Sequence, residues 1–522
     1  MADCQSSSHG NEDLCRSMGK QLDEITRNSR SIEGHFTRYI LNTRILINEE
    51  RLKKEIFGEE DKDKPHKTIL LVGETGTGKS TLINAIINYM LGVKWENRIW
   101  CEIIETKENQ TKSQTTVVTV YDVFVEESPF SLTVIDTPGY GSTAGIDLNI
   151  TETLHELLRS KDGVTEVDAV CLVVSSNIIR LTESQLYVFD AILSLFAKDT
   201  ERNIVVFITY ATRKPTNTLK AIKHSKVRCA KTDDGEPVYF SFNNSHCEAF
   251  LELDKDETKN KEECHKYKAV WDINEKNMKN VFTFLNDSKA VSLNLTENVL
   301  KTRKQLKAAI SSLKERIEQT ELRKKELEQT KAALEKHEKE KKDMNNFECE
   351  VEESYKEKVP VKSKRWQFRR KKATCCSVCE ENCHYPGCWW VRNLYWCSVM
   401  KKGKCTVCTG KCDHTQHVKE RKMYVLKTRK VKKTIEELKK KYEEESGEKM
   451  SLMSRLENEI NENEQKKTSL VEECYQCVVT LEEIALNTDS VSVLQNLDFL
   501  IEKVKETGNT ERIQKLEDLK IR

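Results

Sequence analysis

Residues 67–82 read KTILLVGETGTGKSTL. The apolar run Ile69–Val72 has the length and β-branched character of a buried strand. Gly73–Ser80 then fits G-x-x-x-x-G-K-[ST], and an amphipathic helix continues through Leu82, Ile83, Ile86 and Met90. Each residue type has a chemical reason. Gly73 and Gly78 permit a backbone turn that aims N–H groups at phosphate oxygens, and Gly76 adds freedom. Lys79 places a cation on the terminal phosphates, Ser80 offers a hydroxyl to Mg²⁺, and the helix N-terminus adds its dipole. Glu74, Thr75, Thr77 and Thr81 complete the candidate phosphate-binding set. A glycine-rich turn that only packs has no need of the Lys-Ser pair.

Residues 132–139, LTVIDTPG, form the second element. An apolar strand delivers Asp136 to its C-terminal end, where ligands of parallel sheets collect. There Asp136 can hold Mg²⁺ through water, and Gly139 can turn its N–H toward a γ-phosphate. Between the two elements lies the polar stretch Lys107–Val118, placed to close over that phosphate. Thr115, slightly ahead of Thr116, is its candidate Mg²⁺ ligand, although threonines before a strand are also plain β-formers. Lys79, Ser80, Thr115, Asp136 and Gly139 form the candidate catalytic set.

The stretches GETGTGKSTLINAI and IDTPGYG resemble the septin-like branch of GTPases, close to septins and to the immunity-associated GIMAP GTPases. The resemblance covers roughly Lys67 to Phe250. It implies a mixed sheet flanked by helices, GTP or GDP with Mg²⁺, and nucleotide-dependent self-association. Apolar strands at Val117–Val125, Leu132–Ile135, Val167–Val174, Ile204–Ile208 and Val238–Phe242 follow in the order such a sheet requires.

The guanine-reading motif departs from the family. Where an [NT]-K-x-D sequence is expected, the chain reads Thr209-Tyr-Ala-Thr212-Arg-Lys-Pro215. Thr212 takes the Asp position in one register and Pro215 in the other, so the carboxylate is missing. Losing a charged hydrogen bond costs about 1.5–3 kcal/mol, which weakens guanine selectivity. Within Ser241–Ser245, Asn243 and Asn244 are candidates for the base cradle. Tyr140 follows Gly139 where many small GTPases orient water with Gln, so hydrolysis is expected to be slow.

The chain has 522 residues, 33% of them charged, and a net charge of +1. That balance gives no overall field for nucleic acid or membrane. No apolar run reaches the ~18 residues of a membrane span, and the opening MADCQSSSHG lacks a secretory layout. A cytoplasmic protein is expected. Residues 1–30 read as disordered, 31–64 as a helical lead-in carried by an amphipathic Leu41–Ile56, and 65–290 as the nucleotide domain.

After that the composition turns to Lys, Glu, Leu and Gln. One heptad runs from Val299 through Leu306, Ile310, Leu313, Ile317, Thr320, Leu327 and Leu334, giving a coiled coil over 298–346. A second, over 420–487, runs through Val431, Ile435, Leu438, Tyr442, Leu452, Leu456 and Leu470. Lys324, Lys331 and Lys449 fall at core positions and weaken both. Residues 488–522 read as further helices. The fold class is thus α/β, a P-loop NTPase sheet flanked by helices, followed by long coiled-coil helices with a small Cys/His-rich metal module.

That module spans 375–417, after a basic linker over 347–374. Nine of the nineteen cysteines lie between Cys375 and Cys412. Clustered Cys with nearby His in a reducing compartment binds metal more readily than it forms disulfides. Cys376, Cys379, Cys405, Cys408, Cys412 and His417 lead the ligand set, with Cys383 and Cys388 completing it and Cys375 a bystander. The set is large enough for two Zn²⁺, with no open-site acid or base, so the zinc reads as structural. Cys474 and Cys477 lie in a helical pattern and read as packing. Antiparallel pairing of the two heptads would put the module at the far tip of a stalk; parallel pairing between two chains is the alternative. The basic run Lys362–Lys372 carries Trp366 and Phe368 and could grip nucleic acid, but such runs are more often solvated linkers.

Two functions follow. One is a GTPase switch whose nucleotide state controls self-association while the stalk recruits a protein partner. The other is a non-catalytic nucleotide-binding scaffold acting through its stalk.

Overall fold

The computed structural model describes residues 22–32, 37–49, 52–105, 117–139, 153, 154, 157, 164–245, 257–339, 348–361, 372–385, 387, 391, 393–397, 399–434, 452–487 and 491–521. They divide into two units: Met1–Asn298 with Ile484–Val491, and Val299–Glu483 with Ser492–Arg522.

In the first unit the strands are β1 (Arg30–Ile32), β2 (Thr37–Ile40), β3 (Arg44–Asn48), β4 (Leu52–Phe57), β5 (His66–Gly73), β6 (Ile99–Glu102), β7 (Val118–Val123), β8 (Ser131–Asp136), β9 (Glu166–Val167), β10 (Ala169–Ser175), β11 (Ile204–Thr209), β12 (Tyr239–Ser241) and β13 (Val291–Ser292). Eight of these make one sheet, ordered β12-β11-β10-β5-β8-β7-β4-β3. The pairs around β5 are parallel, β5 with β10 on one side and with β8 on the other. Their unbroken apolar runs fit strands buried on both faces. Helix α1 (Lys79–Met90) leaves the C-terminal end of β5, and α2 (Glu183–Leu193), α3 (Thr216–His224) and α4 (Glu257–Asp287) follow. Ile83, Ile86 and Ile87 of α1 pack with Leu71, Val134, Phe130 and Phe282 in one core cluster. Two buried amides tie α1 to β6 and the chain after it. Asn84 bonds the Ile103 and Ile104 backbone, and Asn88 bonds both backbone groups of Cys101.

The lead-in is not helical. Leu41–Ile56, expected as an amphipathic helix, forms β3 and β4, and the stretch before it forms β1 and β2. β7 offers a hydrogen-bonding edge, and β4 takes it in parallel from Leu52↔Val118 to Phe57↔Val123. Satisfied backbone groups and burial of Leu52 and Phe57 beside the sheet override a helical spacing that was equally compatible with the sequence. Residues 22–27 are helical, and Leu22 is buried in the core cluster where disorder was expected.

The second unit holds α5 (Asn294–Lys339, from Val299 onward), α6 (Leu452–Ile484, to Glu483), α7 (Val491–Lys505, from Ser492) and α8 (Thr510–Ile521). Ion pairs Lys324–Glu464 (3.0 Å) and Lys331–Glu457 (3.1 Å) show that α5 and α6 run antiparallel. The lysines that break the apolar seam of the heptad are thus met by glutamates. Lys449, with Ile435, Leu438 and Tyr442 of the second heptad, lies outside the described residues.

Three further expectations are corrected here. β14 (Glu348–Pro360) occupies nearly half of the presumed linker, and Val431 belongs to β20 (Lys422–Thr434) rather than to a helix. The two strands pair antiparallel over their whole length. Acidic β14 faces basic β20: Glu353–Arg429 lie at 2.9 Å and Glu357–Lys427 at 2.6 Å. Opposite charges across a ladder stabilise it, which a search for heptads in one strand cannot register. The Cys/His module, expected at the far tip of a stalk if the heptads pair antiparallel, instead packs beside α5. Lys356 of the ribbon reaches Glu315 (3.7 Å), and Ala308 of α5 shares a cluster with Cys376 and Cys408. Among the described residues no helix is long and apolar enough to cross a membrane.

Candidate functional site

β5 is the point at which the chain switches sides of the sheet, and loops at the carboxyl ends of strands flanking such a point form a ligand crevice. Here those loops are 73–79 after β5, 137–139 after β8 and 210–215 after β11. Gly76 and Gly78 have φ of 84° and 79°, left-handed values that let successive N–H groups point into one concavity. Gly73 is needed for a different reason: a Cβ there would lie 2.4 Å from the Val173 carbonyl oxygen.

Lys79, 7% exposed, opens α1 and donates to the carbonyls of Gly73 (2.9 Å) and Glu74 (3.0 Å). Burial pulls its pKa down to about 8, opposed by the charges of Asp136 and Glu74. Ser80 and Thr81 follow, half-buried at the start of α1, while Thr77 is buried with its hydroxyl on the Glu74 carbonyl. Glu74 is held by Gln185 of α2 at 3.0 Å. Asp136 is fully buried at the end of β8. Gly139 rests on the phosphate loop itself, since a Cβ there would fall 2.5 Å from the Thr75 Cα. Lys79, Asp136, Gly139 and the loop are therefore brought together. Thr115, Thr116 and Tyr140 lie outside the described residues.

Two residues that sequence reading did not assign close the loop from β11. The Thr209 hydroxyl donates to the Thr77 carbonyl (2.8 Å) and lies 3.2 Å from that of Val174. Tyr210, at a left-handed φ of 54°, reaches the Gly76 carbonyl at 3.4 Å. Thr209 is buried against the phosphate loop, while Thr212 is exposed. Asn243 and Asn244, after β12, are engaged by Asn274 of α4, whose Oδ1 accepts from the Asn243 N–H at 2.9 Å.

Residues 65–161 match the family model described as Septin. The chain carries a septin-type P-loop GTPase domain. The relatives agree in kind. Septin-1 of Drosophila melanogaster is 32% identical over 110 residues, covering 20% of this chain and 29% of that protein. Immune-associated nucleotide-binding protein 13 of Arabidopsis thaliana is 29% identical over 147 residues, 28% of this chain and 38% of that protein. Mouse Septin-14 is 28% identical over 169 residues, 30% and 36% respectively. The chain therefore spans about a third of the length of these curated relatives. A solved structure of Toc33 from Arabidopsis thaliana, in complex with GDP and Mg²⁺, is similar at 18% identity and a TM-score of 0.30, covering 45% of this chain and 90% of that one.

A second candidate centre lies outside the septin-type domain, in the second unit. β15 (Ala373–Cys376), β16 (Glu381–His384), β17 (Met400–Lys401), β18 (Lys404–Cys405) and β19 (His417–Glu420) frame it. They gather two quartets, Cys376, Cys379, Cys408 and Cys412, and Cys383, Cys405, Cys408 and His417. In each, the ligand atoms lie within 4.8 Å of one another. Backbone N–H groups donate to the sulfurs: Cys379 to Cys376 (3.3 Å), Gly410 to Cys379 (3.3 Å), Val407 and Cys408 to Cys405 (3.3 and 3.4 Å), and Cys412 to Cys408 (3.3 Å). Such donors favour thiolate over thiol. His417 is oriented by its Nδ1 against the Asp413 carbonyl (2.9 Å), which leaves Nε2 buried with no hydrogen-bond partner. An imidazole fixed in this way presents a lone pair to a metal. The donor set fits tetrahedral Zn²⁺.

Cys388 lies outside the described residues. Cys375 stands apart from both quartets, its Sγ near Asn382 and the Lys422 carbonyl, and burial pushes its thiol up to about 11. Cys474 and Cys477 are buried in α6, where burial drives the Cys477 thiol to about 12. Behind the quartets, Glu381 accepts from the Thr409 N–H (2.9 Å) and hydroxyl (2.5 Å), linking one Cys-bearing turn to the other. Arg316 of α5 pairs with Glu381 and Thr409, and also contacts Gln319 (3.1 Å) and Asn463 of α6 (3.3 Å).

Proposed function

We propose that the septin-type domain binds GTP and GDP with Mg²⁺, hydrolyses GTP slowly, and uses nucleotide state to control association with a second copy of the chain in the cytoplasm. The helical unit then holds structural zinc and receives a protein partner. The observation that carries this reading is the buried Lys79, set between left-handed glycines and Asp136 at the carboxyl ends of β5 and β8. In this reading the loop N–H groups and Lys79 take the phosphates, and Ser80 and Asp136 hold Mg²⁺. Gly139 lies on Thr75, so a γ-phosphate entering the loop would part them, and that parting is the source of the switch. Thr209 and Tyr210 keep the loop in shape from β11.

Thr212 favours the scaffold reading, because an exposed hydroxyl replaces the carboxylate that selects guanine. Calorimetric titration of the full chain with GDP, GTP and ATP in Mg²⁺ tests both. Micromolar or tighter guanine binding, with ATP at least tenfold weaker, is expected. Equal binding of ATP overturns the guanine assignment, and no binding at all overturns the nucleotide reading. Turnover that rises with protein concentration would set the switch above the scaffold.

A pH dependence follows from Lys79. Its folded pKa of about 8 lies below the ordinary lysine value, so the free domain loses this charge as pH rises through 8. Anionic phosphate favours the charged form, and binding above pH 8 takes up a proton. Affinity is expected to fall by up to about tenfold per pH unit between pH 8 and 10. The observed binding heat should depend on the buffer's ionisation enthalpy there. A flat profile would show that Lys79 stays charged throughout.

A further inference from the structure

The two quartets name seven side chains, not eight, because Cys408 belongs to both. Two tetrahedral zinc ions need eight coordination positions. We propose that the module holds a binuclear zinc centre in which the Cys408 thiolate bridges the two ions. Cys376, Cys379 and Cys412 complete one tetrahedron, and Cys383, Cys405 and His417 the other. The proposal rests on the zinc reading above.

Three observations support sharing over two separate ions. Cys408 is fully buried among the other ligands. Among the described residues, the nearby donors that could supply an eighth position are turned elsewhere: Cys375 lies toward Asn382, His384 and Cys397 face each other at 3.4 Å, and His414 Nδ1 lies 3.0 Å from the Asp413 carboxylate. Charge points the same way. Six thiolates and a neutral imidazole against two dications leave a net charge of −2, whereas separate Cys₄ and Cys₃His ions would place one more negative charge in a buried module. The chain is also cut to fit. A Cβ on Gly410 would lie 2.9 Å from Cys412 Sγ and 3.3 Å from Cys379 Sγ, so the turn after Cys408 leaves room only for glycine beside the sulfurs.

The test uses the full chain, purified with zinc and in parallel loaded with ¹¹³Cd. Metal analysis should give two ions per chain. A sulfur about 2.3 Å from each ion keeps them less than about 4.6 Å apart, so zinc-edge X-ray absorption should show a metal–metal vector. The ¹¹³Cd spectrum should show two resonances coupled to each other through the shared sulfur. Cys408→Ser should lower occupancy at both positions, while Cys376→Ser should spare the Cys383, Cys405 and His417 side. The wild-type spectra decide the matter even where Cys408→Ser does not fold. Absence of zinc would overturn the zinc reading itself. One ion per chain, or two without coupling or a metal–metal vector, would overturn the bridge alone. So would a fall from two ions to one in Cys388→Ser.

Discussion

Replacing Lys79 by alanine is expected to weaken Mg²⁺-nucleotide binding by at least about 100-fold, the equivalent of ~3 kcal/mol. The ammonium is already withdrawn from water in the free domain, with the Gly73 and Glu74 carbonyls as its hydrogen-bond partners. Its desolvation is therefore met on folding, and a phosphate encounters the charge in a low-dielectric site. Charged hydrogen bonds there contribute about 1.5–3 kcal/mol each. The substitution also removes a cation beside the buried Asp136, which raises the cost of keeping that carboxylate ionised for Mg²⁺. Arginine should not rescue, because a planar guanidinium is larger than the space that ammonium occupies. Lys223→Ala, an exposed lysine paired with Glu236, serves as the control and should bind normally. Calorimetry on the full chain reads all three, and a loss below tenfold for Lys79→Ala would refute its phosphate role.

The second large effect is expected at Arg316. Arg316→Met should destabilise the second unit by about 3–5 kcal/mol, because removing one partner of a buried pair strands the other. Glu381 is 6% exposed and would keep only the Thr409 donors. Gln319 and Asn463 would lose a donor as well. Arg316→Met with Glu381→Met should recover much of the loss, since an apolar pair of similar volume is often no worse than a buried ion pair. Denaturant unfolding at fixed zinc measures the stability, and the rate of zinc transfer to a chelator reports the module. A single-mutant loss under 1 kcal/mol would mean that the pair behaves as an exposed one.

What could be read from the chain, and what could not, divides by range. Gly73–Ser80 and Asp136–Gly139 were legible because each motif carries its chemistry within a few residues. Thr209 and Tyr210 were not, since their work is to meet carbonyls of Thr77 and Gly76 more than a hundred residues away. Asn84 and Asn88 carry no local signal either, since they fasten α1 to β6 and the chain after it through backbone groups of Cys101, Ile103 and Ile104. β3, β4 and β20 were misread because apolar spacing in a short charged segment fits a helix or a strand, and the partner strand decides. Most members of the two quartets stood out by spacing, but the membership of Cys408 in both is a fact of three dimensions.

The β14–β20 ribbon has a consequence for the order in which the second unit is made. Its strands meet at Pro360 and Lys422, so what serves as their hairpin turn is the entire Cys/His module. Closing a flexible loop of that size costs roughly 3.5 kcal/mol in chain entropy, and a ribbon held by surface charges does little to offset it. On the zinc reading proposed above, a module already cinched by metal removes most of that cost. The acidic strand leaves the ribosome first and waits for its basic mate. On the same reading the zipping of the two follows metal capture, so refolding in the presence of chelator should stall before the ribbon forms.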